Sequence, residues 1–206
     1  GAMVNVLRLM RDISCGFRPF DSLIIPDTLI ASVKQAYEKG VECILNCQIV
    51  IDGLPTVWCQ QHDSITLLPA QGRAYELPSF SAHGETPDII NFLMDIDSPS
   101  ERVVRAVDNA IRWLKEHELK DVALEHFVNN EGKPDIRIVH NEEAKGLWAR
   151  FYDLQNAEPL FCDRDGIPQI HIEDIGYERR MGYSWFGNSP AKVIERYEEW
   201  RLRNIF

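Results

Sequence analysis

The sequence predicts an all-α domain, an α/α barrel or toroid with long loops and minor β structure. Apolar residues recur at helical spacing in about five separate stretches. Their apolar faces are broad, so each helix needs partners on more than one side. Two long polar segments separate them, which a four-helix bundle with its short connections would not carry.

Val6, Leu7, Leu9, Met10 and Ile13 form the apolar side of a first helix over Val4 to Ile13, with Arg8, Arg11 and Asp12 as its polar side. No capping residue precedes it. Pro26 suits the first position of a second helix. Leu29, Ile30, Val33, Tyr37, Val41, Ile44 and Leu45 continue that helix to about Gln48. Gly40 interrupts it at a cost of about 1 kcal/mol relative to alanine. Asp52-Gly53 is a turn signal between the β-prone runs Gln48–Ile51 and Thr56–Trp58. Cys59 to Gly84 reads as a long irregular loop, and loops of that length in a compact domain are usually functional.

Thr86-Pro87 opens a third helix through Met94. Ser98-Pro99-Ser100-Glu101 reads as a capping box with proline at the first position. The helix behind it carries Val103, Val104, Val107, Ile111, Trp113 and Leu114. Val122–Val128 and Ile136–Val139 are short strands around the turn Asn130-Glu131-Gly132. A second long polar segment runs from Asn141 to Trp185, and Ser189-Pro190 caps a last helix from Ala191 to Arg203.

With 206 residues, 45% of them hydrophobic, residues 1–206 make one domain with a packed core. Gly1-Ala2-Met3 reads partly as an expression remnant. The net charge of -10 excludes nucleic acid and anionic membranes as partners, since both require a net basic footprint. No apolar run approaches the length of a membrane span. An acidic chain that binds a polyanionic sugar must use a local cluster of arginines or a bridging cation. The five cysteines, an odd number, include no CxxC pair, so neither a zinc knuckle nor a thioredoxin motif is supported, and a disulfide framework is not indicated. Cys43 and Cys47 share a helical face and read as small buried hydrophobes.

The two long loops hold the unusual residues. The first contains Thr56-Val57-Trp58-Cys59-Gln60-Gln61-His62-Asp63 and then Gly72-Arg73-Ala74-Tyr75-Glu76. The second contains Leu147-Trp148-Ala149-Arg150-Phe151-Tyr152, Asp163-Arg164-Asp165-Gly166, and Glu178-Arg179-Arg180-Met181-Gly182-Tyr183-Ser184-Trp185. In this order and spacing, and with Ala2-Met3-Val4-Asn5-Val6-Leu7-Arg8-Leu9 at the start, these motifs resemble the family 10 pectate lyases over nearly the whole chain.

That resemblance implies an (α/α)3 barrel with a cleft for polygalacturonate, which the family cleaves by β-elimination, usually with Ca²⁺. The C5 proton of a uronate lies α to a carboxylate, and it becomes acidic enough to remove only when that charge is neutralised. The match places the family's catalytic arginine at Arg73, although a guanidinium normally keeps its proton. Arg150 resembles a clamp for the substrate carboxylate. Trp58, His62, Tyr75, Trp148, Arg164, Arg180 and Tyr183 complete the expected substrate-binding set. Each also has a plainer role. Trp58 and Trp148 can be core walls, His62 can fasten its loop, and Arg73 can pair with Glu76 or Asp63. Arg150 can pair with Asp153, and Arg164 and Arg179 or Arg180 can be solvated charges. The Asp163–Asp165 pair lacks the glutamate of an EF-hand, so no metal ligand is assigned in this chain.

The resemblance further implies that the family carries sequence before the position of Gly1, including an acidic pair just ahead of the first helix. The barrel is therefore expected to be partial and the chain weakly active or inactive as a lyase. Ca²⁺ ligands are expected largely outside it. A non-catalytic module that recognises homogalacturonan, descended from such a lyase, is the alternative. A secreted or periplasmic setting and a homodimer through the uncovered barrel face are also expected.

Overall fold

The computed structural model describes residues 1–204. Among the described residues six α-helices form: α1 (Ala2–Cys15), α2 (Asp27–Asn46), α3 (Glu85–Met94), α4 (Glu101–Glu116), α5 (Tyr177–Met181) and α6 (Ser189–Arg203). Helix α4 is the centre of the molecule. Its Val103, Val104, Val107, Ala110, Ile111 and Leu114 are all buried, an i, i+3, i+4, i+7 stripe that faces the core. Helix α3 lies against it with Ile90, Phe92 and Leu93 buried. Burying side chains of this size contributes about 1.5–3 kcal/mol each. Helices α1 and α2 pack on each other at one side, and α6 packs on α3 and α4.

The N-terminus of α4 corrects the expected capping box by two residues. Ser100, not Ser98, is the cap, and its hydroxyl accepts the Val103 N–H. Pro99 precedes the cap. Helix α6 starts at Ser189 itself, with Pro190 in its first turn.

An all-α partial (α/α)3 toroid is not what forms. About 42% of residues are helical and 17% are extended, and the strands make five two-stranded antiparallel sheets. Strands β1 (Val50–Ile51) and β2 (Leu54–Pro55) form a hairpin around Asp52-Gly53. Both turn residues have positive φ, 50° and 79°, as an inverted two-residue turn requires. Strands β4 (Val122–Val128) and β5 (Pro134–His140) form the longest hairpin.

The other sheets tie the two long loops together. Strand β3 (Phe80–Ser81) pairs with β7 (Phe151–Tyr152), and β6 (Trp148–Ala149) pairs with β10 (Phe186–Gly187). Strand β8 (Phe161–Cys162) pairs with β9 (Pro168–Gln169). The physical reason lies in backbone accounting. These loops bury Phe80, Trp148, Phe151, Tyr152 and Phe161, and the peptide groups carried in with them must find hydrogen-bond partners. Short cross-loop pairings supply those partners.

All five cysteines are unpaired. No helix among the described residues is long and apolar enough to cross a membrane. Val6 and Leu9 on α1, Leu29 on α2, and Leu23 and Ile24 between them leave an apolar face exposed.

Candidate functional site

The loop after β2 bends sharply at Gly72 to Glu76, where the Glu76 N–H donates to the Arg73 carbonyl at 2.9 Å. This turn places a buried carboxylate beneath an exposed guanidinium. Glu76 is only 3% exposed, whereas the Arg73 side chain is 67% exposed. Glu76 Oε2 accepts the Arg73 N–H at 3.1 Å and Oε1 accepts the Arg73 guanidinium at 3.2 Å. The same guanidinium nitrogen donates to the Tyr75 hydroxyl at 3.3 Å. Contact with the Tyr75 hydroxyl, then with the Glu76 carboxylate, raises the Arg73 pKa above the usual arginine value.

Glu76 Oε1 also accepts the Tyr183 hydroxyl at 3.0 Å. The loop before β10 therefore meets the first loop at one carboxylate. Burial pushes the Tyr183 phenol up to about 12. The Arg150 guanidinium lies 4.8 Å from the Tyr183 ring centre and 5.5 Å from that of Phe151, within cation–π range. Arg150 enters between β6 and β7, its N–H donating to the Trp185 carbonyl at 2.6 Å. Its side chain donates to Glu85 Oε1, at the start of α3, at 3.1 Å. Ser81 fixes the other oxygen of Glu85 at 2.6 Å. The Arg150 Nε is buried without a hydrogen-bond partner.

Arg73, Tyr75, Arg150 and Tyr183 are thus brought together. The other expected residues take different places. Trp58 and Trp148 are each 1% exposed. Their indole N–H groups donate to the helix carbonyls of Ile44 and Leu114, both at 2.8 Å, so both rings are core walls. His62 fastens its loop. Its Nδ1 lies 2.9 Å from the Leu67 carbonyl and its Nε2 accepts the Cys59 N–H at 3.1 Å. That pattern defines a neutral imidazole, and burial lowers its pKa.

Arg164 is exposed and paired twice with Glu178, at 3.0 and 3.1 Å. Arg180 grips the buried Asp135 on β5 at 2.7 and 2.8 Å, a fork-on-carboxylate contact that ties α5 to the long hairpin. The arginine beneath the site is instead its neighbour Arg179. It is 6% exposed, with its guanidinium 4.3 Å from the Tyr75 ring centre and 5.4 Å from that of Tyr183.

Sequence reasoning missed Arg179 and Glu85 as site residues. Arg179 and Arg180 are adjacent, and only the pose of α5 decides which one faces inward. Glu85 meets its arginine across 65 positions of chain, and no local pattern marks it.

Gln60, Gln61, His62, Asp63 and Glu85 are among the residues that line a cleft of about 470 Å³, with Met3 and Val4 of α1. Among the described residues, no three His, Cys, Asp or Glu side chains are grouped so as to hold a metal ion. Glu76 and Glu85 are already engaged by arginines.

A family model described as pectic acid lyase matches residues 1–194. A solved family 10 polysaccharide lyase from Cellvibrio cellulosa matches with a TM-score of 0.84 at 30% identity, over 97% of this chain and 60% of that one. A mutant family 10 polysaccharide lyase from the same organism, in complex with trigalacturonic acid, matches with a TM-score of 0.83 at 31% identity, over 96% and 60%. The chain thus spans about 60% of the length of these structures. Among curated proteins there is no match.

Proposed function

Because the chain belongs to the pectic acid lyase family, we propose that it binds polygalacturonate through the arginines gathered around Tyr183 and takes part in its cleavage by β-elimination. The observation that carries this reading is the joining of Arg73 and Arg150 through one tyrosine. Arg73 reaches Tyr183 through Glu76, and Arg150 lies over the Tyr183 ring. Polygalacturonate presents a carboxylate on every sugar, and a guanidinium fork suits that group. Arg150 meets Glu85 through one terminal nitrogen and keeps 17% of its side chain exposed, the part a uronate carboxylate can reach.

Neutralising a uronate carboxylate raises the acidity of the adjacent C5–H, which is the chemical requirement of elimination. A base, placed by the family resemblance at Arg73 in its neutral form, takes the C5 proton; the freed electron pair forms the C4–C5 double bond, the C4–O4 bond breaks, and the departing oxygen takes a proton from water, leaving an unsaturated sugar. The test is the absorbance of that product on incubation with polygalacturonate and added Ca²⁺. A rate no higher than that of Arg73→Ala overturns the catalytic reading.

One observation favours a second reading, recognition without chemistry. The Arg73 pKa is raised by the Tyr75 hydroxyl and Glu76, so its guanidinium holds its proton more firmly and is poised to bind rather than to act as a base. Retardation in gels containing homogalacturonan, without product formation and without retardation by neutral glucans, supports that reading. The exposed apolar face formed by α1 and α2 supports association of two copies, and a single monomeric species in sedimentation would overturn it.

A further inference from the structure

Beside Arg150 stands a side-chain trio that the reading above does not use. His83 Nδ1 lies 2.9 Å from the Ser189 hydroxyl, and its Nε2 lies 3.1 Å from the Ser184 hydroxyl. Ser189 has one proton, and it gives that proton to the His83 carbonyl at 2.6 Å. The Ser189 oxygen can therefore only accept from the ring, which makes Nδ1 the protonated nitrogen. Nε2 then carries a lone pair, and Ser184 must donate its proton inward to it.

The fold makes room for this arrangement. The imidazole lies across Gly187, and any β-carbon at that position would overlap the ring. Ser184 is exposed. With its proton turned inward, it presents only lone pairs to an incoming ligand. Such an oxygen accepts from a hydroxyl and repels a carboxylate. The Arg150 guanidinium packs against the backbone of Gly84, the residue after His83, so close that a β-carbon there would sit 3.1 Å from its Cζ. A carboxylate site and a hydroxyl-accepting site thus stand side by side.

We propose that Ser184, oriented by His83 and Ser189, accepts a ring hydroxyl of a uronosyl residue whose carboxylate lies on Arg150. The inference rests on the polygalacturonate reading and adds to it a position that reads the sugar ring rather than its charge. His83 is the positioning residue and Ser184 the contact. Burial, and next the charge of Arg150, lower the His83 pKa, with Glu85 opposing. The ring therefore stays neutral, as the arrangement needs.

Two measurements test this on the full chain. Calorimetric titration with trigalacturonate compares the unaltered protein, Ser184→Ala and Ser184→Thr. The alanine variant should bind about 3- to 10-fold more weakly, the worth of one net hydrogen bond, and threonine should restore affinity. Two-bond proton–nitrogen correlation spectra of His83 at neutral pH should show Nδ1 protonated and Nε2 bare. Equal affinity of the alanine variant, or a proton on Nε2, overturns the proposal while leaving the polygalacturonate reading intact. Failure of the unaltered protein to bind trigalacturonate overturns both.

Discussion

Tyr183 donates its hydroxyl to Glu76 at 3.0 Å, a bond that connects the surroundings of Arg73 to those of Arg150 where the two loops meet. Glu76 restrains Arg73 from below, and the Tyr183 ring lies under Arg150. Tyr183→Phe keeps the ring and removes the bond. It should cost about 1 kcal/mol of stability and weaken trigalacturonate binding severalfold, read from urea unfolding and calorimetry. Unchanged affinity would show that the two arginines are independent.

Arg150 is expected to act as a fork and not as a point charge. Arg150→Lys should lose most of the affinity that Arg150→Ala loses, about 10-fold or more for either, because a lysine cannot supply two parallel donors. Arg150→Ala also leaves Glu85 without its cation, and Arg150→Lys replaces a guanidinium with a shorter ammonium, so the melting temperature should fall more in the alanine variant. Binding is to be measured well below the lower of the two.

Trp58 and Trp148 should behave as core residues. Trp148→Ala should destabilise the protein by about 3–5 kcal/mol and strand the Leu114 carbonyl. Affinity per folded molecule should stay the same. A selective loss of trigalacturonate binding at unchanged stability would instead mark a sugar-stacking surface.

Arg180 is half-buried over the buried Asp135, and Arg180→Ala, which leaves that carboxylate without its cation, should cost about 2–3 kcal/mol. The Arg180 hydrogen bonds, outweighing burial, hold the Asp135 carboxyl well below its usual range. A carboxylate depressed on folding contributes stability above its unfolded pKa of about 3.9, and that contribution fades as pH falls further. The stability gap between the two proteins should therefore be full at pH 6 and shrink below about pH 4. A gap that is constant with pH would count against the ion pair.

His62 and His83 both have pKa values lowered chiefly by burial. Their unfolded counterparts take up a proton below about pH 6.5, so acidification favours the unfolded chain. Stability should drop between pH 7.5 and pH 5.5, and His62→Gln should flatten part of that slope. Equal slopes in the two proteins would remove His62 from the account.

The helices were legible because their signals are local. The stripe from Val103 to Leu114 and the Asp52-Gly53 turn each declare themselves within a few residues. The β structure of the loops was not. Phe80–Ser81 pairs with Phe151–Tyr152 across about 70 positions, and a two-residue strand has no period to detect. The same cause divides the site. Arg73 and Glu76 sit within one turn and could be paired from sequence. Arg150, for which Asp153 was the plainer alternative to a substrate clamp, meets Glu85, because that meeting depends on how β6 and β7 seat against α3.

Those two-residue pairings carry a kinetic consequence. They are long-range closures, and their entropy must be spent before they return any stability. In refolding from urea, helical circular dichroism should recover first, and the ability to retain trigalacturonate should lag behind it. Grafting either loop alone onto another scaffold should transfer no affinity, since each is only one half of a seam.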